Sequence, residues 1–205
     1  MSNNTAWFNE SDLPGAMLNS GFKPLRESDH FKALSDSLSL VTPGKLLDLG
    51  CGIGEVAITF PKYEYTGADL PHIIDKAAKV KNPDFNFISF DANKDAYDFM
   101  ANYDVILMNS FISEIPNWYR CLNNVLYNAK KYVILHRQEV TEKQSYLREY
   151  TTYAGLKTTN SVINYEELNK MFYFNEFSVI QELNSFPNNK YQKTYLLIKE
   201  GQDDR

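Results

Sequence analysis

The sequence predicts an α/β fold, a doubly wound, mostly parallel seven-stranded sheet with an antiparallel C-terminal hairpin and helices on both faces. Short apolar runs alternate with amphipathic segments from Lys45 onward, and this β-α-β-α order is typical of a parallel sheet covered by helices. The first apolar run opens directly into three closely spaced glycines, as happens at the ligand-binding edge of such sheets. Turn-forming residues separate the last two strand-like runs, which favours a hairpin there.

The first five strands are predicted from short apolar runs at residues 46–49, 63–68, 85–90, 104–108 and 132–135. Amphipathic segments between these runs predict helices at residues 55–60, 72–80, 95–101 and 118–128. Pro61 ends the first of these helices early, because a proline has no N–H to donate inside a helix. Pro71 suits the first turn of the second helix for the same reason.

The C-terminal part of the chain predicts one helix, at residues 165–172, and two strands, at residues 177–183 and 191–198. The segment Phe186-Pro-Asn-Asn-Lys190 between these strands is rich in turn formers, so they are expected to pair as an antiparallel hairpin. The sequence contains no internal repeat or linker. Residues 1–205 are therefore predicted to form a single domain, large enough to bury a sizeable core.

Residues 1–44 precede the sheet and are predicted to form a helical leader or cap. Phe31, Leu34 and Leu38 recur at helical spacing, so one face of a helix over residues 28–38 is expected to pack on the edge of the sheet. Three other apolar residues of this leader either anchor it or cover a bound ligand as a lid: Trp7, Phe8 and Phe22.

Composition excludes several classes of protein. Hydrophobic residues make up 43% of the chain, which argues against disorder, and its two cysteines, Cys51 and Cys121, lack a metal-ligand spacing. The net charge is −5 with scattered basic residues, so nucleic-acid binding is not expected. No apolar run approaches the roughly 20 residues that span a bilayer, so membrane insertion is not expected either. A cytoplasmic location is the resulting expectation, and the oligomeric state stays open.

The strongest functional signal lies in the stretch Lys45-Leu-Leu-Asp-Leu-Gly-Cys-Gly-Ile-Gly-Glu55. Its glycines let the chain turn sharply and bring bare backbone against a ligand, where side chains would obstruct the approach. A helix is predicted from residue 55, so the backbone N–H groups of its first turn can face that ligand. These features predict a nucleotide-like cofactor, and the alternative is a tight turn that binds nothing.

This stretch resembles motif I of the class I, Rossmann-like methyltransferases that depend on S-adenosyl-L-methionine (SAM). Gly50, Gly52 and Gly54 form G-x-G-x-G, with Asp48 two residues before the first glycine. Glu55 stands where a dinucleotide-binding turn carries its third glycine, which disfavours an NAD-dependent oxidoreductase. The resemblance implies SAM as the cofactor, with its methionine and ribose surrounded by Asp48 and by the glycine turn that includes Cys51.

The resemblance extends to the ends of later strands. Tyr65-Thr-Gly-Ala-Asp-Leu70 is similar to motif II, which implies that Asp69, next to Leu70, binds the ribose hydroxyls, since a carboxylate can accept hydrogen bonds from both. After the third strand, Asp91 and Ala92 would meet the adenine of SAM. After the fourth strand, Asn109 and Ser110 would bind its amino acid end. A helix cap is the alternative role for Asp69 and for Asp91.

Two kinds of methyltransferase are disfavoured. The Asp/Asn-Pro-Pro-aromatic motif that marks many nucleobase and glutamine N-methyltransferases is absent, because only Asn109 matches its first residue. A metal-dependent enzyme needs a cluster of oxygen ligands for a hard cation, and Asn109 with Glu114 does not form one. No metal site is therefore predicted.

Residues 138–164 form a long insertion between the fifth strand and the next helix. Tyr146, Tyr150 and Tyr153 would share one side of this segment if it is helical, and Tyr150 and Tyr146 would then bind the acceptor. Together with the region around Arg137, the segment weakly resembles small bacterial methyltransferases associated with surface polysaccharide. The insertion is either a lid over the acceptor or an ordinary packed excursion.

These observations predict a SAM-dependent methyltransferase that acts on a hydroxyl of a small polar acceptor, such as a glycan. His136 is the preferred base because histidine accepts a proton near neutral pH, and Glu114 and His72 are its rivals. Arg137 would bind an acidic group of the acceptor, and only one of His136 and Arg137 should face the site, because neighbouring strand residues face opposite ways. The alternatives are an inactive SAM-binding regulatory subunit and a small-molecule N-methyltransferase.

Overall fold

The computed structural model describes residues 13–19, 23–152, 155 and 157–201. The proposed anchor or lid residues Trp7, Phe8 and Phe22 lie outside the described residues, as does Tyr153. Within the described part of the chain, no helix is long and apolar enough to span a membrane.

Five parallel strands form the central sheet in the order β3-β2-β1-β4-β5. These strands are β1 (Lys45–Leu49), β2 (Glu64–Asp69), β3 (Asn86–Ser89), β4 (Val105–Asn109) and β5 (Tyr132–Thr141). Leu46, Leu47 and Leu49 of β1 are fully buried, as expected for a central strand that is covered on both faces. The order reverses between β1 and β4, and ligands bind beside such a reversal in open α/β sheets.

The predicted C-terminal hairpin is confirmed. Strands β8 (Phe177–Phe186) and β9 (Asn189–Lys199) pair antiparallel to each other, and β9 pairs antiparallel to β5. The pairing of β5 with β9 is interrupted between Leu135 and Gln138, where Arg137 adopts a φ of 57°. Such a bulge redirects side chains locally, and bulges are common next to active sites.

The insertion at residues 138–164 is a hairpin, and the conditional prediction of a helix there is wrong. Strand β5 runs on to Thr141, and β6 (Tyr146–Thr151) pairs antiparallel to β7 (Lys157–Asn164), which in turn lies parallel to the end of β5. Period-two alternation also places residues four apart on one face of a strand, so Tyr146 and Tyr150 still share a face.

Among the described residues, six helices surround the sheet: α1 (Leu13–Asn19), α2 (Phe31–Ser39), α3 (Glu55–Thr59), α4 (71–81), α5 (Trp118–Asn128) and α6 (Tyr165–Phe174). The middle of α4, Ile74–Ala78, is a π-helix. The helix predicted at residues 95–101 is instead a short 3₁₀ turn, Asp98–Asn102. Residues 95–97 of the predicted helix lie in a loop, where the Asp95 carboxylate accepts the backbone N–H of Asp91.

The two largest parts of the hydrophobic core lie one on each face of the sheet. On one face, Leu122 and Val125 of α5 pack against the buried residues of β1, β4 and β5. On the other face, Leu34 and Leu38 of α2 pack with Leu46 and Ile134, so this helix covers a face of the sheet and not, as was predicted, its edge. The two layers hold the carboxyl ends of the parallel strands in a fixed arrangement.

Candidate active site

A cavity of about 790 Å³ lies at the carboxyl ends of β1, β2, β4 and β5. The N-terminal segment at residues 23–30 and the end of β6 complete its walls. Most of the sequence-predicted site residues line this cavity: Asp48, Gly50, Cys51, Gly52, Asp69, Leu70, Ala92, Asn109, Ser110, Glu114, Arg137 and Tyr150. Gly54, Asp91, His136 and Tyr146 are not among the lining residues.

The three glycines of the turn after β1 have different physical roles, although all have positive φ. A Cβ atom at Gly50 would lie 2.5 Å from Phe111, and one at Gly54 would lie 2.8 Å from Phe87. A Cβ atom at Gly52 would meet nothing within 4 Å, although its φ of 54° favours glycine. Gly50 and Gly54 therefore permit close packing, whereas Gly52 keeps bare backbone exposed to the cavity.

Asp48 places a buried carboxylate at the cavity. Its Oδ2 accepts a hydrogen bond of 3.0 Å from the Tyr65 hydroxyl, whereas Oδ1 has no partner among the described residues. Burial raises the pKa of Asp48 to about 7, and the nearby Asp69 carboxylate acts in the same direction. An unpartnered buried carboxylate oxygen is costly, so this atom is suited to a ligand that brings a donor or a positive charge.

Asp69 joins the end of β2 to the glycine turn. Its carboxylate accepts the backbone N–H of Gly52 at 2.9 Å and that of Leu70 at 2.7 Å. Burial raises the pKa of Asp69 to about 6, and these two backbone donors oppose the shift. Each oxygen retains a lone pair that can accept one more donor, which is the capacity a vicinal diol requires.

Cys51 is a structural thiol beside these carboxylates. It lies deep in the cavity wall, and burial together with Asp69 and Asp48 raises its pKa well above the usual range for a thiol. A thiol held neutral is a poor nucleophile, so Cys51 contributes packing and not covalent chemistry.

The structure gives Asp91 the role of a turn cap. Its carboxylate accepts the backbone N–H of Asn93 at 2.9 Å and pairs with Lys94 at 2.8 Å. The neighbouring Ala92 lines the cavity, so this strand end reaches the site through Ala92 and not through the Asp91 carboxylate. Between the two roles considered for Asp91, its position favours the cap.

Asn109 and Ser110, at the end of β4, line the cavity and form hydrogen bonds with β5. Ser110 has a φ of 56° and its backbone N–H donates to the His136 carbonyl at 2.8 Å. The Asn109 Oδ1 accepts a 2.9 Å hydrogen bond from Nε of Arg137. This bond fixes the direction in which the guanidinium extends.

Arg137, Glu114 and Tyr150 line the part of the cavity that β5, β6 and the segment after β4 contribute. The Tyr150 hydroxyl donates to the Glu114 carboxylate at 2.7 Å, and the charge of Glu114 counteracts the effect of burial, which lowers the pKa of Arg137. Arginine stays charged even so. By contrast, the Tyr146 side chain is largely exposed and does not line the cavity, so its predicted role in acceptor binding is not supported.

His136 faces away from the cavity, and the structure does not place it where an acceptor base must be. It is 1% exposed; its Nδ1 lies 2.8 Å from Thr194 Oγ1 and its Nε2 lies 3.0 Å from Nδ1 of His30. As the strand alternation predicts, only Arg137 of this pair faces the site.

His30 lines the cavity and was missed by the sequence reasoning. It immediately precedes α2, more than one hundred residues from β5 along the chain, so no local pattern pointed to it. Burial and the Arg137 charge lower the pKa of His30 to about 4, so its ring is neutral at physiological pH. The described residues contain no cluster of side chains suited to hold a metal ion.

The profile of the family described as methyltransferase domain matches residues 26–182, which is most of the chain. The protein therefore belongs to this family. No relative was found among curated protein sequences.

Solved structures with a similar fold include several methyltransferases. A SAM-dependent methyltransferase from Mesorhizobium loti is 12% identical, with 85% of this chain and 100% of that chain covered and a TM-score of 0.64. A SAM-bound amino pentose methyltransferase from Micromonospora echinaspora is 12% identical, with coverages of 91% and 96% and a TM-score of 0.65. Magnesium protoporphyrin IX methyltransferase from Synechocystis, with bound SAM, is 13% identical, with coverages of 96% and 94% and a TM-score of 0.64.

The family match, the fold and the glycine turn agree with one another. The protein is a SAM-dependent methyltransferase with a Rossmann-like fold, and its cofactor is S-adenosyl-L-methionine.

Proposed function

We propose that the protein transfers the methyl group of SAM to a hydroxyl of a small polar acceptor that carries an acidic group, such as an acidic sugar. The observation that carries this proposal is the pairing, within one cavity, of the glycine turn on one side with Arg137, Glu114 and Tyr150 on the other. A cytoplasmic location and the link to polysaccharide stay sequence-based predictions.

The cofactor side of the cavity fits SAM. The cofactor supplies a methyl group bound to a positively charged sulfur, and Asp48 and Asp69 are two carboxylates that a positive charge would favour in their ionised forms. Gly52 exposes backbone there without a side chain, and the free lone pairs of Asp69 suit the ribose hydroxyls. The orphaned Oδ1 of Asp48 gives the methionine ammonium or the sulfonium a complementary partner.

The acceptor side selects for charge and for hydrogen bonding. Arg137 is held by Asn109 through Nε, and Nη1 makes only a long, 3.5 Å contact with His30, so the outer edge of its planar guanidinium can bind a carboxylate or phosphate in place of that contact. The Tyr150–Glu114 pair lies on the same wall and offers an aromatic face and acceptor oxygens, the groups that recognise a hydroxylated ligand. An acidic, hydroxylated acceptor satisfies both features.

Catalysis in such a site comes chiefly from position. Methyl transfer is an in-line displacement, so holding the acceptor oxygen in line with the reactive carbon removes much of the entropic barrier. Residues 23–30 and the end of β6 add walls to the cavity beside the strand ends, and these walls would limit the access of water to the reacting groups.

A panel of acceptors with the wild-type protein and an Arg137→Met variant tests this proposal. Hydroxy acids and uronic acids are incubated with SAM beside their neutral counterparts, and methylated products are detected by mass spectrometry. We expect product with acidic, hydroxylated compounds and a loss of at least tenfold in kcat/KM for them in Arg137→Met, since charge-assisted hydrogen bonds contribute about 1.5–3 kcal/mol.

Arg148→Met is the matched control, because Arg148 is paired with Glu139 on β5 and does not line the cavity. It should leave kcat/KM unchanged. Equal use of neutral and acidic acceptors would overturn the assignment of Arg137. Tight SAM binding with no methylated product from any acceptor would instead favour a regulatory SAM-binding subunit.

A further inference from the structure

A buried chain of hydrogen bonds connects the cavity to the interior of the C-terminal hairpin. It begins at His30 in the cavity wall, passes through His136 on β5 and Thr194 on β9, and ends at Ser185 on β8. The successive distances are 3.0 Å, 2.8 Å and 2.9 Å, all within hydrogen-bonding range. His136, Thr194 and Ser185 are each no more than 1% exposed, so water does not compete for these bonds.

Arg137 favours one tautomer of each histidine. Its Nη1 lies 3.5 Å from Nε2 of His30, at the outer limit of hydrogen-bonding distance, and because a guanidinium can only donate, this contact favours the form in which that nitrogen is unprotonated. The hydrogen of His30 is then on Nδ1 and is donated to Nε2 of His136. The hydrogen of His136 is in turn on Nδ1 and is donated to Thr194 Oγ1.

The hydrogen bonds of Ser185 are consistent with donation from His30 through His136 to Thr194. Ser185 Oγ accepts the backbone N–H of Arg137 at 3.1 Å, in the bulge of β5. The Thr194 hydroxyl can therefore donate to Ser185 while it accepts from His136. Within this network, each ring nitrogen of His30 and His136 and the hydroxyl of Thr194 have a partner of the required kind.

We propose that His30 is the residue that accepts the proton of the acceptor hydroxyl, and that His136 and Thr194 are positioning residues that hold His30 in the tautomer with an unprotonated Nε2. This inference rests on the proposed transfer to oxygen. When the acidic group of the acceptor binds the Arg137 guanidinium, it replaces the 3.5 Å contact of Nη1 with His30 and leaves the lone pair of Nε2 for the hydroxyl. The step forms the oxygen–carbon bond of the product and breaks the sulfur–carbon bond of SAM, whose electron pair returns to sulfur. The hydroxyl proton moves to Nε2 of His30.

The environment of His30 suits a base that must reset after each turnover. Its ring faces Arg137 and His136 on β5 and the edge of Phe186 on β8, Asp29 precedes it in the chain, and Glu114 lies beyond Arg137. Burial and the Arg137 charge hold the pKa of His30 to about 4, so it is neutral before reaction and releases its proton readily afterwards. A weak base suffices because a hydroxyl oxygen becomes strongly acidic as its bond to carbon forms.

Nitrogen-15 NMR of the histidine rings tests the arrangement in the wild-type protein and needs no acceptor. With S-adenosylhomocysteine at pH 7, we expect both His30 and His136 to be neutral, protonated on Nδ1 and unprotonated on Nε2. Free histidine in water favours the opposite tautomer, so protonation on Nδ1 in both rings is a specific signature of this hydrogen-bond network. Finding His30 protonated on Nε2, or as a cation, would overturn the proposal because no lone pair would face the cavity.

Thr194→Val tests the positioning role, since valine keeps the shape of threonine and removes the acceptor for Nδ1 of His136. We expect the tautomers of His136 and His30 to change while the affinity for S-adenosylhomocysteine stays within twofold. Thr66→Val, at a threonine in β2 away from this network, is the matched control and should change neither. Unchanged tautomers in Thr194→Val would contradict the positioning role.

His30→Gln tests the proton-accepting role directly once an acceptor is known. We expect turnover to fall by about 10²–10⁴, with the calorimetric affinity for S-adenosylhomocysteine within twofold of wild type. Turnover within a few-fold of wild type would overturn the role of His30. Wild-type protein that methylates a nitrogen or a carbon of its acceptor, and not an oxygen, would contradict the proposed function instead, so the two failures are distinguishable.

Discussion

Replacing Asp69 by alanine should weaken cofactor binding far more than it weakens the fold. The Asp69 carboxylate accepts the backbone N–H groups of Gly52 and Leu70, and both of its oxygens keep a lone pair toward the cavity. The variant removes the acceptor for the ribose hydroxyls and loosens the turn that Gly52 presents. Loss of a charge-assisted hydrogen bond costs about 1.5–3 kcal/mol, which corresponds to a 10- to 150-fold loss of affinity.

Isothermal calorimetry with S-adenosylhomocysteine measures this loss, and thermal unfolding of the free protein measures the accompanying change in stability. Asp91→Ala is the matched control, because Asp91 follows the adjacent strand but caps a turn outside the cavity. We expect Asp91→Ala to lower the melting temperature and to leave affinity within twofold of wild type. A folded Asp69→Ala variant that binds as tightly as wild type would refute the assignment of Asp69.

Three further predictions concern the turn, the carboxylates and the inserted hairpin. Gly52→Ala and Gly155→Ala both place a side chain at a positive φ in open space, with a strain of about 1–2 kcal/mol, but only Gly52→Ala should also reduce calorimetric affinity for S-adenosylhomocysteine. Equal affinities in the two variants would show that the turn does not touch the cofactor. Burial raises the pKa of Asp48 to about 7, so the native state binds more protons than the unfolded state between pH 4 and 7, and this contribution to stability is lost as pH rises through that range. The free energy of unfolding, measured in urea at several pH values, should fall with rising pH in the wild type and should fall less in Asp48→Asn. The same dependence on pH in both proteins would contradict this prediction. Residues 138–164 should gain protection from hydrogen exchange when S-adenosylhomocysteine and an acceptor bind together, whereas equal protection with and without ligands would make this hairpin purely structural.

The central sheet and the cofactor side of the cavity could be predicted because their signals are local. Three buried leucines followed by a glycine turn specify a strand, a sharp reversal and bare backbone within ten residues, and Asp69 ends the neighbouring strand. Parallel strands bring their carboxyl ends to one edge, so predicting Asp48, Asp69 and Asn109 at strand ends also placed them at the site.

The acceptor side could not be predicted because it depends on contacts between distant segments. Strands β6 and β7 pair with each other, and β7 also pairs with the extension of β5. These pairings between segments, and not the periodicity of residues 146–164, favour strands over a helix there. The bulge at Arg137 and the approach of His30 determine which side chain of β5 faces the cavity. Neither feature has a sequence pattern of its own, so the sequence pointed to His136 and gave no indication of His30.

The position of the transferred methyl group tests the account most directly. The protein is incubated with SAM carrying a carbon-13 methyl group and with the small-molecule fraction of a strain that lacks the protein, and the products are examined by carbon-13 NMR. The account predicts a new signal in the methoxy region that is lost in Arg137→Met and retained in Arg148→Met. A new signal in the N-methyl or C-methyl region, or a methoxy signal that persists in Arg137→Met, would contradict it.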